Sequence, residues 1–542
     1  MGPELDPVAL AQRLREDLGH RRIADGIAAL DSAQPLLAHI SMCPGWGTVV
    51  GLVAQWVDAG FDRPELLRCL LDKFPRQDRS QLLVADYLHL RMAEAVLAMT
   101  VEEFPAAMEC LSAVRSFEDQ VGDCEMLAIA NFWLGRCCRR MGRYGEALEY
   151  IERAEAMALA CGYPQMAAIM KVTRSWLAFQ RGKLQEAAAL LRQAEATLNS
   201  TGDYLNRGNI QSAYGRIARR QGKYERAVEC FERAIAEYRT GGGSHRQLAR
   251  SLLNLAFVKR LIALEAQREL DSITQSRRGT ASSPPDNVRP ERARIDAIRQ
   301  AAWVHLEEAY DIYSKSHSHR GVAGVHINRG FLSLDAGDLE RAAAEGAEAF
   351  AHGAARSDAI VLARARTLEC IVANTAMEEQ LGDCLHHRDA AEAFARDAVM
   401  YAGKTENRRL LARAYVWQGL TFTAAPADLD AARRCSEQAM ALLQPEGPER
   451  QYTWEDLELL KQRVLRAHPV EAVLRAWSAG IVGNTTFQQM TEEFARIVIP
   501  KVWEREGRKI SKVAEKLSIS PKKVRRILHS AGVGERREAH EE

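Results

Sequence analysis

The chain has no apolar run of the eighteen or so residues that a membrane span needs. Its opening, Met1-Gly2-Pro3-Glu4-Leu5-Asp6, carries neither the basic start nor the apolar core of a signal peptide, and Asp6 stands where myristoylation requires Ser or Thr. A cytoplasmic protein with no membrane partner is expected. Eleven cysteines are scattered without a Cys-x-x-Cys pair, a pattern of small buried apolar residues in a reducing compartment, not of a disulfide framework. The adjacent Cys137 and Cys138 could alternatively form a redox switch.

Chemistry is equally scarce. No phosphate-cradling Gly-x-x-x-x-Gly-Lys loop, Gly-x-Ser-x-Gly elbow or His-Glu-x-x-His helix occurs. His387-Arg388-Asp389 copies a kinase tripeptide without the accompanying Gly-rich loop or Asp-Phe-Gly. Cys384, His386 and His387, or His317 with His319, fall short of a tetrahedral ligand set. The sequence reads as a non-enzyme with no catalytic residue, cofactor or metal. β-Branched and aromatic residues give way to Ala, Leu, Arg and Glu, which favours an almost wholly helical chain. Its 542 residues exceed what one core organises, a limit that repeat architectures escape.

What is present is a repeat. Leu134-Gly135-Arg136-Cys137-Cys138-Arg139-Arg140-Met141-Gly142-Arg143-Tyr144-Gly145-Glu146-Ala147 returns eighty residues later as Tyr214-Gly215-Arg216-Ile217-Ala218-Arg219-Arg220-Gln221-Gly222-Lys223-Tyr224-Glu225-Arg226-Ala227. A weaker copy between them, Ala178 to Ala187, sets the period at forty, and Gly330 to Ala342 continues it. Ala106, Cys110 and Ala113 repeat the second-helix spacing upstream, and Ala391, Ala398, Ala432 and Ala439 do so downstream. Before about Ser80 the pattern is lost, and Pro44-Gly45-Trp46-Gly47 breaks up a helical cap. One repeat is interrupted by Ser272 to Pro290, whose composition reads as a disordered loop.

These segments resemble tetratricopeptide repeats. Gly135, Gly215 and Gly330 match the small position of the first helix. Ala147, Ala187, Ala227 and Ala342 match the close-contact position of the second, with Ala154, Ala194, Ala234 and Ala349 further on and Leu191 and Phe231 in the bulky slot. A forty-residue unit exceeds the usual thirty-four, and such long copies are similar to the sensor arms of bacterial activators of the maltose-regulator type. The first helix of each pair should line the concave side, placing Arg136, Arg139, Arg140, Arg216, Arg219 and Arg220 in a ligand groove. Arginine forks suit an acidic peptide or protein face, or a phosphorylated or nucleotide ligand. The alternative pairs these arginines with acids of neighbouring repeats such as Glu146 and Glu225.

The terminus carries a second signal. Ile510, Val513, Ala514 and Leu517 recur at helical spacing, and Ser518-Ile519-Ser520-Pro521 forms a turn whose Ser520 N-caps a new helix with Pro521 at its first position. Val524, Ile527 and Leu528 give that helix its packing face, Lys522, Lys523, Arg525 and Arg526 lie on the others, and Gly532 stops it. From Pro500 to Val533 ten Lys or Arg face three Glu, a balance of +7 in a chain of net charge +1. That is a nucleic-acid footprint. Glu506-Gly507, Ala514, Leu517 to Ser520, Val524, Leu528 and Gly532-Val533 resemble the DNA-binding domain of the Fis family, although Ser518 replaces the usual Gly of the turn. The resemblance implies DNA contacts from Lys509, Lys512, Ser520, Lys522, Lys523, Arg525, Arg526 and His529. The preceding stripe of Phe487, Met490, Phe494, Ile497 and Val498 either packs on the motif or forms a homodimer.

The expected protein is all-α: a tetratricopeptide-like right-handed α-solenoid with a C-terminal helix-turn-helix domain. The divisions are an N-terminal cap (1–79), a repeat array (80–465, with an insertion at 272–290), a connecting helix and linker (466–484) and the terminal domain (485–542). The expected function is a bacterial-type DNA-binding transcription regulator whose array takes a protein, peptide or anionic ligand. The alternatives are a scaffold or adaptor with a degenerate terminal motif and an RNA-binding or toxin-neutralising regulator.

Overall fold

The computed structural model describes residues 6–120, 122–240, 246–277, 288–424, 428–443, 452–466 and 486–530. Among them every regular element is a helix. The chain opens with α1 (Pro7–Gly19), α2 (Ile23–Ser32), α3 (Gln34–Leu37), α4 (Trp46–Ala59) and α5 (Pro64–Leu71). Trp56 of α4 is fully buried and donates its indole N–H to the Leu14 carbonyl at 3.2 Å. Gly26 lets α2 approach it, since a Cβ there would fall 2.0 Å from the Trp56 ring.

Paired antiparallel helices follow. They are α6 (Val84–Thr100) with α7 (Phe104–Arg115), α8 (Cys124–Met141) with α9 (Tyr144–Ala160), α10 (Pro164–Gln180) with α11 (Leu184–Leu198), and α12 (Tyr204–Arg220) with α13 (Tyr224–Thr240). Next come α14 (Arg246–Arg277) with α15 (Val288–Lys315), α16 (His319–Asp335) with α17 (Leu339–Ala354), α18 (Ala359–Glu378) with α19 (Cys384–Gly403), α20 (Arg408–Phe422) with α21 (Leu429–Leu443), and a single α22 (Tyr452–Arg466). First helices starting at 124, 164 and 204 reproduce the forty-residue period. Small residues set the spacing within pairs: a Cβ on Gly135 would lie 2.6 Å from Ile151, and one on Gly215 2.9 Å from Phe231. The eight expected second-helix alanines, Ala147 to Ala349, are all fully buried.

Three expectations need correction. In α7 the buried seam is Ala107, Cys110, Leu111 and Val114, so Cys110 lies on it as expected, while Ala106 is exposed and Ala113 half-buried. With Pro105 in the first turn, the inward face falls one residue later than the alanine spacing suggested. The interruption is shorter than its composition implied, because α14 runs to Arg277 and α15 begins at Val288; the stretch 278–287 lies outside the described residues, as do most of the linker and Gly532. Finally, Cys124 and Cys161 form a disulfide, since both sit where α8 begins and α9 ends. Cys137 and Cys138 are fully buried, and burial pushes their thiols up to about 12 and about 11, leaving them inert packing residues.

The array curls back on itself. The loop after α6 meets the start of α16, where Glu102 accepts from Arg140 Nη2 (2.8 Å), Ser318 Oγ (2.8 Å) and the Arg320 backbone N–H (3.0 Å). The loop after α8 meets the loop after α19: the Glu406 N–H donates to the Gly142 carbonyl at 2.9 Å, and the Gly145 N–H to Glu406 Oε2 at 2.6 Å. Elements more than two hundred residues apart are thereby joined around a bore.

At the other end of α8 from Arg140, Glu125 is buried beside Arg15 (3.4 Å), and burial pushes its carboxyl up to about 7 despite that cation, with Asp123 adding repulsion. A raised native pKa means the favourable contribution is whole below the unfolded value and is lost as pH rises through about 7. Glu125→Gln should therefore melt like the parent at pH 4 and more stably at pH 8, by roughly 1–3 kcal/mol. Thermal denaturation at the two pH values measures it.

No helix among the described residues is long and apolar enough to cross a membrane.

Candidate functional site

The bore is lined by the first helices α8, α10, α12, α14, α16, α18 and α20, as the concave-face expectation required. Its wider chamber, about 390 Å³, is walled by eight arginines and no Asp or Glu. A narrower chamber of about 150 Å³ adjoins it, walled by Ile129, Phe132, Met166 and Met170, by the amides of Asn206, Asn209 and Gln247, and by Arg21 and the Arg136–Asp58 pair. Arg139, Arg216, Arg250 and Trp176 line both chambers and form the waist between them.

The six predicted groove arginines separate by partner. Arg136 pairs with Asp58 at 2.5 Å, and Arg140 with Glu102. Arg220 is buried, donates to the Phe179 carbonyl and stacks on that ring at 4.5 Å, so it is structural. Arg219 donates to Asn254 Oδ1 at 3.0 Å and covers Phe257. The proposed pairing with Glu146 does not occur, because Arg143 holds that carboxylate from the same loop. Arg139 and Arg216 have no carboxylate partner; Arg139 lies over Trp176 at 4.8 Å, and its Nε is buried without an acceptor. Burial, followed by the charges of Arg250 and its neighbours, holds Arg139 well below the ordinary guanidinium range and Arg216 down to about 9. Arg140 likewise falls to about 9 through burial and Arg320, against the pull of Glu102. Guanidinium does not readily shed its proton, so these shifts report a strongly positive, water-poor space. Arg250, Arg320, Arg364 and Arg413 carry no signal in the sequence, because they lie outside the eighty-residue echo; only the superhelix gathers them.

The second site is terminal. α23 (Phe487–Arg505) opens with a capping box of Thr486 and Gln489, followed by α24 (Ile510–Leu517) and α25 (Pro521–Ser530). Val513, Ala514, Val524, Ile527 and Leu528 are buried together with Ile499 of α23. Ser518 takes the left-handed conformation (φ 51, ψ 43) that closes α24, and the Lys523 N–H donates to Ser520 Oγ at 3.2 Å. All eight residues predicted to meet DNA, Lys509, Lys512, Ser520, Lys522, Lys523, Arg525, Arg526 and His529, are exposed. Phe487 and Phe494 of the apolar stripe do not pack on the motif: they are 81% and 49% exposed, while Ala495, Ile499, Val502 and Trp503 make that contact, and the Ile497 side chain lies outside the described residues. Because a left-handed residue with a Cβ costs about 1 kcal/mol, Ser518→Gly should stabilise this three-helix unit by about that amount. Amide exchange protection in α24 and α25 would register the gain.

Paired helices with small residues at fixed positions, coiled around a bore, define a tetratricopeptide-type solenoid. Tetratricopeptide-repeat family profiles match residues 134–161 and 206–266. No curated protein matches the chain in sequence. Among solved structures, the chain is similar to a Rap protein complexed with competence and sporulation factor, with TM-score 0.53 and 11% identity over 73% of this chain and 98% of that one. It is also similar to an IFIT1 monomeric mutant with Gppp-AAAA (TM-score 0.46, 13% identity, 85% and 95% covered) and to aspartyl phosphate phosphatase F from Bacillus subtilis (0.37, 11%, 83% and 96%). At such identities the likeness to the first is one of fold.

Proposed function

We propose that the protein is a DNA-binding transcription regulator whose repeat array receives a protein, peptide or anionic signal. The observation that carries the reading is the exposed cationic surface of α25 on a compact unit whose apolar face is fully used by α23 and α24. In a Fis-type arrangement Lys522, Lys523, Arg525 and Arg526 meet the duplex, with arginine reading guanine in the major groove and the other cations on phosphates. One such module buries little surface, so a homodimer reading two half-sites is part of the proposal, with exposed Phe487 and Phe494 available to a second copy.

The array's role draws on the tetratricopeptide repeats and on the structure of a Rap protein complexed with competence and sporulation factor. A protein or peptide partner in the bore fits that likeness, and the arginine lining favours an acidic one. The second reading, an adaptor that joins proteins through its array and uses the terminal unit only for packing, is favoured by the repeats themselves. Selection of bound fragments from a random duplex pool separates the two. A recurring palindrome supports the regulator, and an empty or random selection leaves the adaptor.

A further inference from the structure

We propose that the waist of the bore, at Arg139, Arg216 and Arg250, is a binding site for a small molecule bearing several phosphate groups. This deepens the array's part of the function proposed above and does not depend on DNA binding.

The first argument is charge. Cations drawn out of water are normally paired, as Arg136 is with Asp58, Arg140 with Glu102, Arg260 with Asp335 and Arg320 with Asp358. The half-buried Arg139, Arg216 and Arg250 depart from this together and in one place: among the described residues none of them has a carboxylate partner, no carboxylate lines the wider chamber, and Asp58 beside the narrower one is taken by Arg136. Burial first, and the charge of Arg250 second, hold the guanidinium groups of Arg139 and Arg216 below their ordinary range. An anion at the waist would remove that cost, and one carboxylate is too little charge for three cations.

The second argument is shape and surface. At about 390 Å³ the wider chamber is within the usual range of small-molecule sites. Its aromatic faces are already covered by guanidinium groups: Trp176 by Arg139, Phe257 by Arg219 and Phe331 by Arg413. What remains to a ligand in that chamber is charge and forked hydrogen bonding, which suits phosphate oxygens. The narrower chamber lies on the other side of the waist; its apolar and amide walls, with Arg21 and Arg136 already paired to Asp203 and Asp58, would hold whatever body the phosphates are attached to.

Tripolyphosphate is the probe. Calorimetric titration into the full-length protein at fixed ionic strength should give saturable binding, and the melting temperature should rise with probe concentration. Arg139→Gln with Arg216→Gln should weaken binding at least tenfold. Arg226→Ala, which removes an exposed cation paired with Glu229, should leave it unchanged. Since the double variant removes half-buried charge that repels Arg250, its ligand-free melting temperature should equal or exceed the parent's, which separates lost binding from lost folding. Absence of saturable binding, binding undiminished in the folded double variant, or equal or tighter binding of citrate or hexaglutamate would overturn the proposal. None of these results bears on retention of duplex DNA, so the regulator reading stands or falls separately.

Discussion

Glu102→Ala should destabilise the array by about 3–5 kcal/mol, the usual result of removing one partner from a buried charged network. Glu102 is 7% exposed and ties three elements with one carboxylate: the Arg140 guanidinium, the Ser318 hydroxyl and the Arg320 backbone N–H at the first turn of α16. Its removal leaves Arg140 without its acid and strips an anion from a helix N-terminus, where the backbone dipoles favour one. The repeats on each side keep their own cores, so the damage should fall on ring closure. Small-angle scattering should show a larger radius of gyration alongside the lower melting temperature. Burial opposes the charge on Glu102, but Arg140, the hydrogen bonds of Arg320 and Ser318 and the Arg320 charge outweigh it and hold the carboxyl below its ordinary value. A lowered native pKa gives stability that is present above the unfolded value near 4.5 and is lost as pH falls through the native one. The gap between parent and variant should therefore be wide at pH 7 and narrow at pH 3. A gap independent of pH would show that the loss comes from packing and not from the charge.

How much of this was legible before any coordinates follows from the range over which each signal acts. Gly135, Gly215 and the buried alanines answer to contacts within a helical pair, a separation that recurs every forty residues and so leaves an echo in the sequence. Ser520 and Pro521 act within one turn of the helix they start, and their roles are readable from type and spacing alone. Glu102 with Ser318 is different. The two are 216 residues apart, and that distance is one circuit of the superhelix, which no periodic pattern records. The same reason explains the groove: Arg136 and Arg139 are equivalent by spacing, and only the position of Asp58 in α4, outside the repeats, pairs the first and leaves the second bare. The Phe487 stripe misled because apolar spacing shows that a helix has a sticky side without showing which neighbour covers it. In α23 the covered side is the one with Ile499 and Trp503.

Arg525→Ala with Arg526→Ala should reduce site-specific duplex retention on the order of 10²-fold or more, on the basis of about 1–3 kcal/mol for each arginine that reads a base edge. The inference is clean because both side chains are exposed while Val524, Ile527 and Leu528 of the same helix supply the core. The double variant should thus keep the melting behaviour of the three-helix unit, and a loss of retention cannot be charged to unfolding. Lys522→Ala with Lys523→Ala gives the internal comparison. If these two lie on phosphates, their removal weakens specific and random duplexes alike and lowers the slope of log affinity against log salt by about 2. The arginine pair should instead shift the ratio of specific to random binding. Equal losses on both duplex types from both variants would describe a basic surface that holds DNA without reading it. Retention unchanged by either variant would assign the exposed cations of α25 to solvation and favour the adaptor, with the array as the working part of the protein.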